Sequence, residues 1–173
     1  DYLQKYSVGS VTPDPRPGSP KSHAWWTGDS GQVGAFMHSY QSVWLPSALL
    51  KADAIDRLSD ALFASSCQWS VGLHFNKGLA GASRDVVVAA KETAMNPKVA
   101  DAFALAIIAS DGPAAYPGFP GPAPNASDAR RDVAQINKAV NELHRLVPQP
   151  GSYVSEGDYF DREWQVSFWG ENY

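Results

Sequence analysis

The sequence predicts a mixed fold, α+β or α/β, in which helices cover one face of a sheet and polar and aromatic side chains occupy the other. Two segments alternate apolar and polar residues with the period of two that strands require. Two others repeat apolar residues every three or four positions, as amphipathic helices do. Strands separated by helices are typical of parallel crossovers, but no glycine-rich phosphate-binding fingerprint follows any predicted strand. Periodicity alone therefore leaves the sheet type open.

Composition narrows the class of protein. The 173 residues fit one domain of ordinary size. The net charge is −4 and no basic run exceeds Arg130-Arg131, so we expect no nucleic-acid partner. The longest apolar stretches, such as 102–109, are far shorter than the ~20 residues of a membrane span, so we expect no membrane insertion. Cys67 is alone, which excludes an internal disulfide, and the compartment stays open.

Residues 1–32 are rich in Pro, Gly and Ser and are predicted to form a connecting arm. The arm contains the closely spaced prolines Pro13, Pro15, Pro17 and Pro20. Such spacing prevents a helix and interrupts a sheet ladder. Trp25 and Trp26 are candidates for anchoring the arm to a neighbouring surface, and residues 33–173 form the predicted folded domain.

The first predicted strand, residues 33–45, has two different faces. Its even positions are Gly34, Phe36, His38, Tyr40, Ser42 and Trp44. Its odd positions are Val33, Ala35, Met37, Ser39, Gln41, Val43 and Leu45. The even face is therefore aromatic and rich in hydrogen-bonding groups.

A helix and a second strand follow. Pro46 and Ser47 open a predicted helix that runs to about Ser65 and carries an apolar stripe for packing on the sheet. Residues 67–76 form the second predicted strand, with the clearest alternation in the chain. Trp69, Val71, Leu73 and Phe75 point one way, and Gln68, Ser70, Gly72, His74 and Asn76 point the other.

Residues 84–95 are predicted to form a helix, and residues 100–109 a third, more apolar strand at the centre of the sheet. The Gly/Pro-rich loop 111–124 contains Tyr116 and Phe119, and its length is typical of a site or interface.

The clearest helix pattern covers residues 127–146, and residues 153–159 suggest a final strand. Just before this helix, Asn125-Ala-Ser fits either a helix cap, which we favour, or a glycosylation sequon.

His38 and His74 lie on the polar faces of two different predicted strands. If both faces point the same way, they form the wall of a shared cavity, and either imidazole could act as a general base. The alternative is that each polar face is merely solvated. Phe36, Tyr40 and Trp44 favour the cavity, because a solvated face seldom carries three large aromatic residues.

Other chemistries have weaker support. No third ligand stands at a convincing spacing from the two histidines, so we expect no metal site. No Gly-x-Ser-x-Gly nucleophile elbow is present, so the sequence does not indicate a hydrolase of that type.

The C-terminal residues carry the most specific motifs. Ser152-Tyr-Val-Ser-Glu-Gly-Asp-Tyr-Phe and Trp164-Gln-Val-Ser-Phe-Trp-Gly-Glu-Asn-Tyr resemble the C-terminal region of berberine bridge enzyme-like FAD-linked oxidoreductases, within the vanillyl-alcohol oxidase superfamily. Tyr40-Gln-Ser-Val-Trp-Leu-Pro and Leu73-His-Phe-Asn-Lys-Gly-Leu-Ala-Gly-Ala are similar to the substrate domain of bacterial and fungal members. The resemblance covers roughly residues 24–173.

The resemblance implies an α+β substrate-binding domain, with a largely antiparallel sheet over the flavin and helices on the opposite side. It implies that FAD is held largely by a separate FAD-binding domain, which this chain does not include. It also implies that the family's tail continues beyond Asn-Tyr, so the domain is truncated here. The motif assigns Asn172 a polar contact to the flavin and Tyr173 a substrate-orienting or proton-handling role.

Together with the two-faced strands, these considerations give a set of candidate residues. The candidate catalytic residues are Tyr173, His74, His38 and Tyr40, the candidate substrate-binding residues are Asn76, Phe36 and Trp44, and the candidate cofactor contacts are Asn172 and Tyr173.

The expected function is the substrate-binding portion of an FAD-dependent oxidoreductase that oxidises an alcohol, sugar or secondary metabolite by hydride transfer to flavin. Its expected partners are an FAD-binding domain or chain and a small-molecule substrate. The alternative is a non-enzymatic small-molecule binding or interaction module derived from such a domain. The presence of an FAD-binding partner separates the two.

Overall fold

The computed structural model describes residues 11–13, 24–26, 34–115, 121 and 123–173. Within the arm, β1 (Val11–Pro13) pairs antiparallel with β2 (Ala24–Trp26), so this segment contains one short ladder despite its prolines. The predicted loop residues Tyr116 and Phe119 lie outside the described residues.

A three-stranded antiparallel sheet organises the rest. Its strands are β3 (Phe36–Pro46), β4 (Gly72–Phe75) and β5 (Ala102–Gly112), in the order β3-β5-β4. The prediction that the most apolar strand is central is therefore confirmed.

The described residues also form four α-helices and four short 3₁₀-helices. The α-helices are α1 (Ile55–Ser66), α2 (Arg84–Lys91), α3 (Ala126–Leu146) and α4 (Trp164–Trp169). The 3₁₀-helices are Ser47–Leu50, Pro97–Asp101, Val154–Glu156 and Gly170–Asn172. None of the helices in the described part of the chain combines the length and apolar character that a membrane crossing needs.

Helices α1 and α3 pack on one face of the sheet and form the core with it. The buried residues of this core are Val43, Leu45, Leu49, Leu58, Ala106, Ile108, Ile136, Ala139, Val140 and Leu143. The buried Ser65 hydroxyl of α1 donates to the Ala139 carbonyl of α3 at 2.9 Å. The predicted α+β class, with an antiparallel sheet, is thus confirmed.

The start of α3 confirms the cap interpretation of Asn125. Its side-chain oxygen accepts hydrogen bonds from the amides of Ser127 (3.1 Å) and Asp128 (3.2 Å). These bonds satisfy two of the amides that every helix leaves free at its first turn.

Two predicted strands differ from the structure. Residues 67–71 are not part of β4, because the amides of Cys67, Gln68 and Trp69 donate back to carbonyls at the end of α1. The prediction of a strand over 153–159 is wrong, and Val154–Glu156 is a 3₁₀-helix instead. The Tyr153 amide donates to a side chain rather than to a neighbouring strand.

The predicted helix over 47–65 is also divided in two. Lys51 has an extended backbone (φ −75°, ψ 153°), which ends the 3₁₀-helix Ser47–Leu50 before α1 begins.

Candidate functional site

The sheet face opposite α1 and α3 carries Tyr40, Ser42 and Trp44 from β3 and His74 from β4. Trp44 stands opposite Leu105 of β5, and Leu105 stands opposite His74. Because side chains alternate along a strand and neighbouring strands lie about 4.8 Å apart, Trp44 and His74 share this face at a separation of about 10 Å. The register therefore brings these candidate residues together on one surface.

A β-bulge at His38 interrupts the alternation of β3. Met37 pairs with Asp111 and Ser39 pairs with Ser110, which leaves His38 as an extra residue between them. An extra residue reverses which side chains point to which face. Residues before the bulge therefore face the opposite way from the predicted pattern.

His38 and Phe36 consequently lie on the helix-covered face. The imidazole Nδ1 of His38 donates to Asp132 Oδ2 of α3 at 2.7 Å. The Phe36 ring packs edge-on against the imidazole, with centroids 5.7 Å apart. The expectation that these two residues share a face with Tyr40 is wrong, because the bulge turns both of them towards the helices. The sequence gives no sign of this bulge.

His38, Ser110 and Asp132 form a buried polar cluster between β3, β5 and α3. Ser110 donates to Asp132 Oδ2 at 2.8 Å, and the side chains of His38 and Asp132 are 6% and 11% exposed. Hydrogen bonds from His38 and Ser110 hold the pKa of Asp132 below its usual range. Sequence reasoning missed Asp132, although it lies one turn before Ile136 on the sheet-facing side of α3.

The C-terminal segment, defined as residues 151–173, begins alongside β3. Its first contact is the hydrogen bond from the Trp44 amide to the Gly151 carbonyl, at 3.2 Å. The amide of Tyr153 then donates to the buried hydroxyl of Ser42 at 3.0 Å, and the Tyr153 ring lies 6.4 Å from that of Trp44. This segment therefore covers part of the aromatic face.

Tyr40 is joined to the same segment through Glu156. Its phenol donates to Glu156 Oε1 at 3.3 Å. Burial, and secondarily the Glu156 carboxylate, raise the pKa of Tyr40. The phenol therefore stays protonated at neutral pH and does not serve as a base there.

Asn76 is placed in a loop contact. Its amide nitrogen donates to the Val99 carbonyl at 2.9 Å, and its side-chain oxygen accepts from the Gly78 amide at 2.8 Å. These bonds shape the turn that follows β4.

Asn172 and Tyr173 lie at the far end of the C-terminal segment. The Asn172 amide nitrogen lies 2.6–2.8 Å from the carbonyl oxygens of Lys91, Thr93 and Met95. Tyr173 is 70% exposed and packs edge-on against Trp164, with ring centroids 5.5 Å apart. The amide of Asn172 thus fixes the segment to the chain that follows α2.

A cavity of about 290 Å³ lies between β3, α3 and the C-terminal segment. Gln41, Ser42 and Val140 contribute to one side of its lining, and the C-terminal segment contributes Asp158, Asp161 and Glu163. Across the described residues, no group of three or more His, Cys, Asp or Glu side chains is arranged to hold a metal ion.

Comparisons with known proteins give no relative from which to transfer a role. No protein-family model, curated protein or solved structure matches the chain at a significant level.

Proposed function

We propose that this chain is the substrate-binding portion of an FAD-dependent oxidoreductase that acts on an alcohol, sugar or secondary metabolite. The observation that supports this proposal most directly is the sheet register, which puts Tyr40, Trp44 and His74 on the face opposite the helices. In this proposal an FAD-binding domain or chain completes the enzyme.

This face offers an aromatic and an imidazole group to a ligand. Trp44 and His74 lie on either side of Leu105 across the three strands, and Leu105 itself is buried. Ligand sites are mostly apolar, with a few polar groups that fix orientation. Bound FAD would supply the hydride acceptor, and the protein would supply binding, orientation and proton handling.

Each candidate side chain has a role that its contacts allow. His74 is exposed and takes the substrate proton. Tyr40 gives its hydrogen to Glu156, so its oxygen lone pairs accept a hydrogen bond from the substrate. At the motif residues, Asn172 has only its side-chain oxygen left for a flavin N–H, and Tyr173 orients the substrate.

Exposed apolar side chains support the need for a partner. Phe75, Tyr159 and Phe160 are 78%, 92% and 81% exposed. Apolar surface of this kind is typical of interaction sites. The purified chain alone is therefore expected to bind an apolar dye or to self-associate, whereas a monomer that binds no dye would count against a missing partner.

A second candidate function is that of a non-enzymatic small-molecule binding module. The cavity of about 290 Å³ favours it, because this volume is close to that of small-ligand pockets.

Flavin binding distinguishes the two candidates. We expect the purified protein, alone or with an FAD-binding partner, to show flavin absorbance or to quench the fluorescence of added FAD. His74→Ala should weaken that binding or the resulting oxidation several-fold, whereas Phe63→Ala, an exposed residue of α1 on the other side of the sheet, should not. A colourless protein that binds no FAD and has no flavin-carrying partner would exclude the oxidoreductase role.

A further inference from the structure

We propose that residues 152–173 form a lid that opens as one unit and uncovers Tyr40, Ser42 and Trp44 of β3. Opening of this lid needs no flavin and therefore does not depend on the proposed function.

The lid is packed on itself. The rings of Trp164, Trp169 and Tyr173 lie with centroids 5.5–6.0 Å apart in all three pairs. Elsewhere in the lid, the Phe168 ring packs so closely against Gly157 that a Cβ added to Gly157 would overlap it. Aromatic pairs at these distances stabilise one another, so the segment is able to keep its shape when it leaves the sheet.

The near attachment of the lid, at β3, consists mainly of hydrogen bonds. The hydroxyls of Ser42 and Ser152 are 2.9 Å apart, and the Ser42 hydroxyl also accepts a hydrogen bond from the Tyr153 amide. Tyr40 donates to Glu156. Each of these groups can exchange its partner for water on opening, so the net loss per bond is modest.

The far attachment joins the lid to the loop after α2 rather than to the core. The Asn96 amide nitrogen donates to the Ser167 carbonyl at 2.9 Å, and Asn172 contacts the carbonyls of Lys91, Thr93 and Met95. No residue in the lid's helices, Val154–Glu156, α4 and Gly170–Asn172, is buried. Regions with few buried apolar contacts are the ones that open before the whole protein unfolds.

A turn with two positive φ angles and a cavity lie where the lid meets the body. Gln149 and Gly151 have positive φ angles of 51° and 77°, immediately before the lid. The cavity of about 290 Å³ beneath the lid shows that lid and body are incompletely packed against each other. The lid is therefore joined to the body by a turn and by polar contacts around an open space.

Hydrogen exchange tests this proposal on the intact chain. We expect the two amides whose hydrogen bonds must break when the lid opens, that of Tyr153 (to the Ser42 hydroxyl) and that of Trp44 (to the Gly151 carbonyl), to exchange at least tenfold faster than those of β5 and α3. We also expect these two amides to have similar opening free energies. Protection of both amides equal to that of α3 would overturn the proposal.

A reversible crosslink tests whether opening occurs at β3. Ser42→Cys with Ser152→Cys, in a Cys67→Ser background, places two thiols where the hydroxyls are 2.9 Å apart, a geometry suited to a disulfide. Oxidation should slow exchange of the Trp44 amide, which donates to the Gly151 carbonyl beside the crosslink, at least tenfold and leave α3 unchanged, and reduction of the same protein should restore the original rate. An unchanged Trp44 amide rate in the oxidised form would overturn the proposal.

A third measurement needs no crosslink. The side chain at position 42 is buried beneath the lid, so in the Cys67→Ser background, which removes the exposed thiol, the thiol of Ser42→Cys should react with a disulfide reagent only when the lid opens. Adding Asn172→Ala, which removes the Asn172 part of the far attachment, should increase the rate several-fold. An equal rate in the two proteins would contradict a lid that pivots at residues 149–151.

Discussion

The helix-covered sheet and the C-terminal segment are held together by different interactions, although both are rich in large apolar residues. In the body, Leu45, Ile136 and Leu143 are completely buried between the sheet and the helices. In the C-terminal segment, Tyr159 and Phe160 are almost fully exposed, and polar contacts make most of the attachments. Apolar side chains thus form a core only where a second layer of structure covers them.

The largest effect is expected from a cavity in the body. Leu143→Ala removes a side chain that is 0% exposed, so it should lower the free energy of unfolding by about 3–4 kcal/mol in urea denaturation. Phe63→Ala removes a larger side chain that is 72% exposed and should cost less than about 1 kcal/mol. Similar losses for the two variants would show that side-chain size, rather than burial, sets stability here.

The buried polar cluster of the body should make the free energy of unfolding depend on pH. The pKa of Asp132 is lowered by its hydrogen bonds, so its contribution to stability is present above the unfolded value of about 3.9 and is lost as pH falls further. Asp132→Asn should cost about 2 kcal/mol at pH 7 and reduce the loss of stability between pH 5 and 3. The measurement is the urea unfolding free energy as a function of pH.

An exposed carboxylate of the neighbouring strand provides the control for this effect. Asp111→Asn in β5 should leave the pH profile close to that of the unchanged protein. If both substitutions flatten the profile equally, the acid sensitivity is a general charge effect and does not come from the cluster.

Much of the body was predictable from sequence because its patterns are strong. The helix predicted over 127–146 is observed as Ala126–Leu146, and the strand predicted over 33–45 as Phe36–Pro46. Helix α3, and β3 from Ser39 onward, each bury one continuous face, and burial is what produces periodicity in a sequence. The C-terminal segment has no such face, so its alternation over 153–159 gave a strand that does not form.

The candidate site was predictable only in part, for the same reason. Alternation correctly separated Tyr40 and Trp44 from the core side of β3, but it could not locate the bulge that turns His38 towards Asp132. A bulge adds one residue without changing composition, and a contact between residues 94 positions apart leaves no local pattern.

The smallest predicted effect concerns the junction of the two regions at Gly151. Its φ of +77° disfavours any side chain, and a Cβ there would lie 2.7 Å from the amide nitrogen of Asn96, which holds the C-terminal segment through Ser167. Gly151→Ala should therefore cost about 1–2 kcal/mol and speed hydrogen exchange in residues 152–173 more than in α3. Gly81→Ala separates the two causes, because Gly81 has a φ of +86° but no atom within 4 Å of an added Cβ. Gly81→Ala should lower the free energy of unfolding by about 1 kcal/mol, the backbone cost alone, without faster hydrogen exchange. The same exchange profile in both variants would mean that the Asn96 contact does not hold the segment in place.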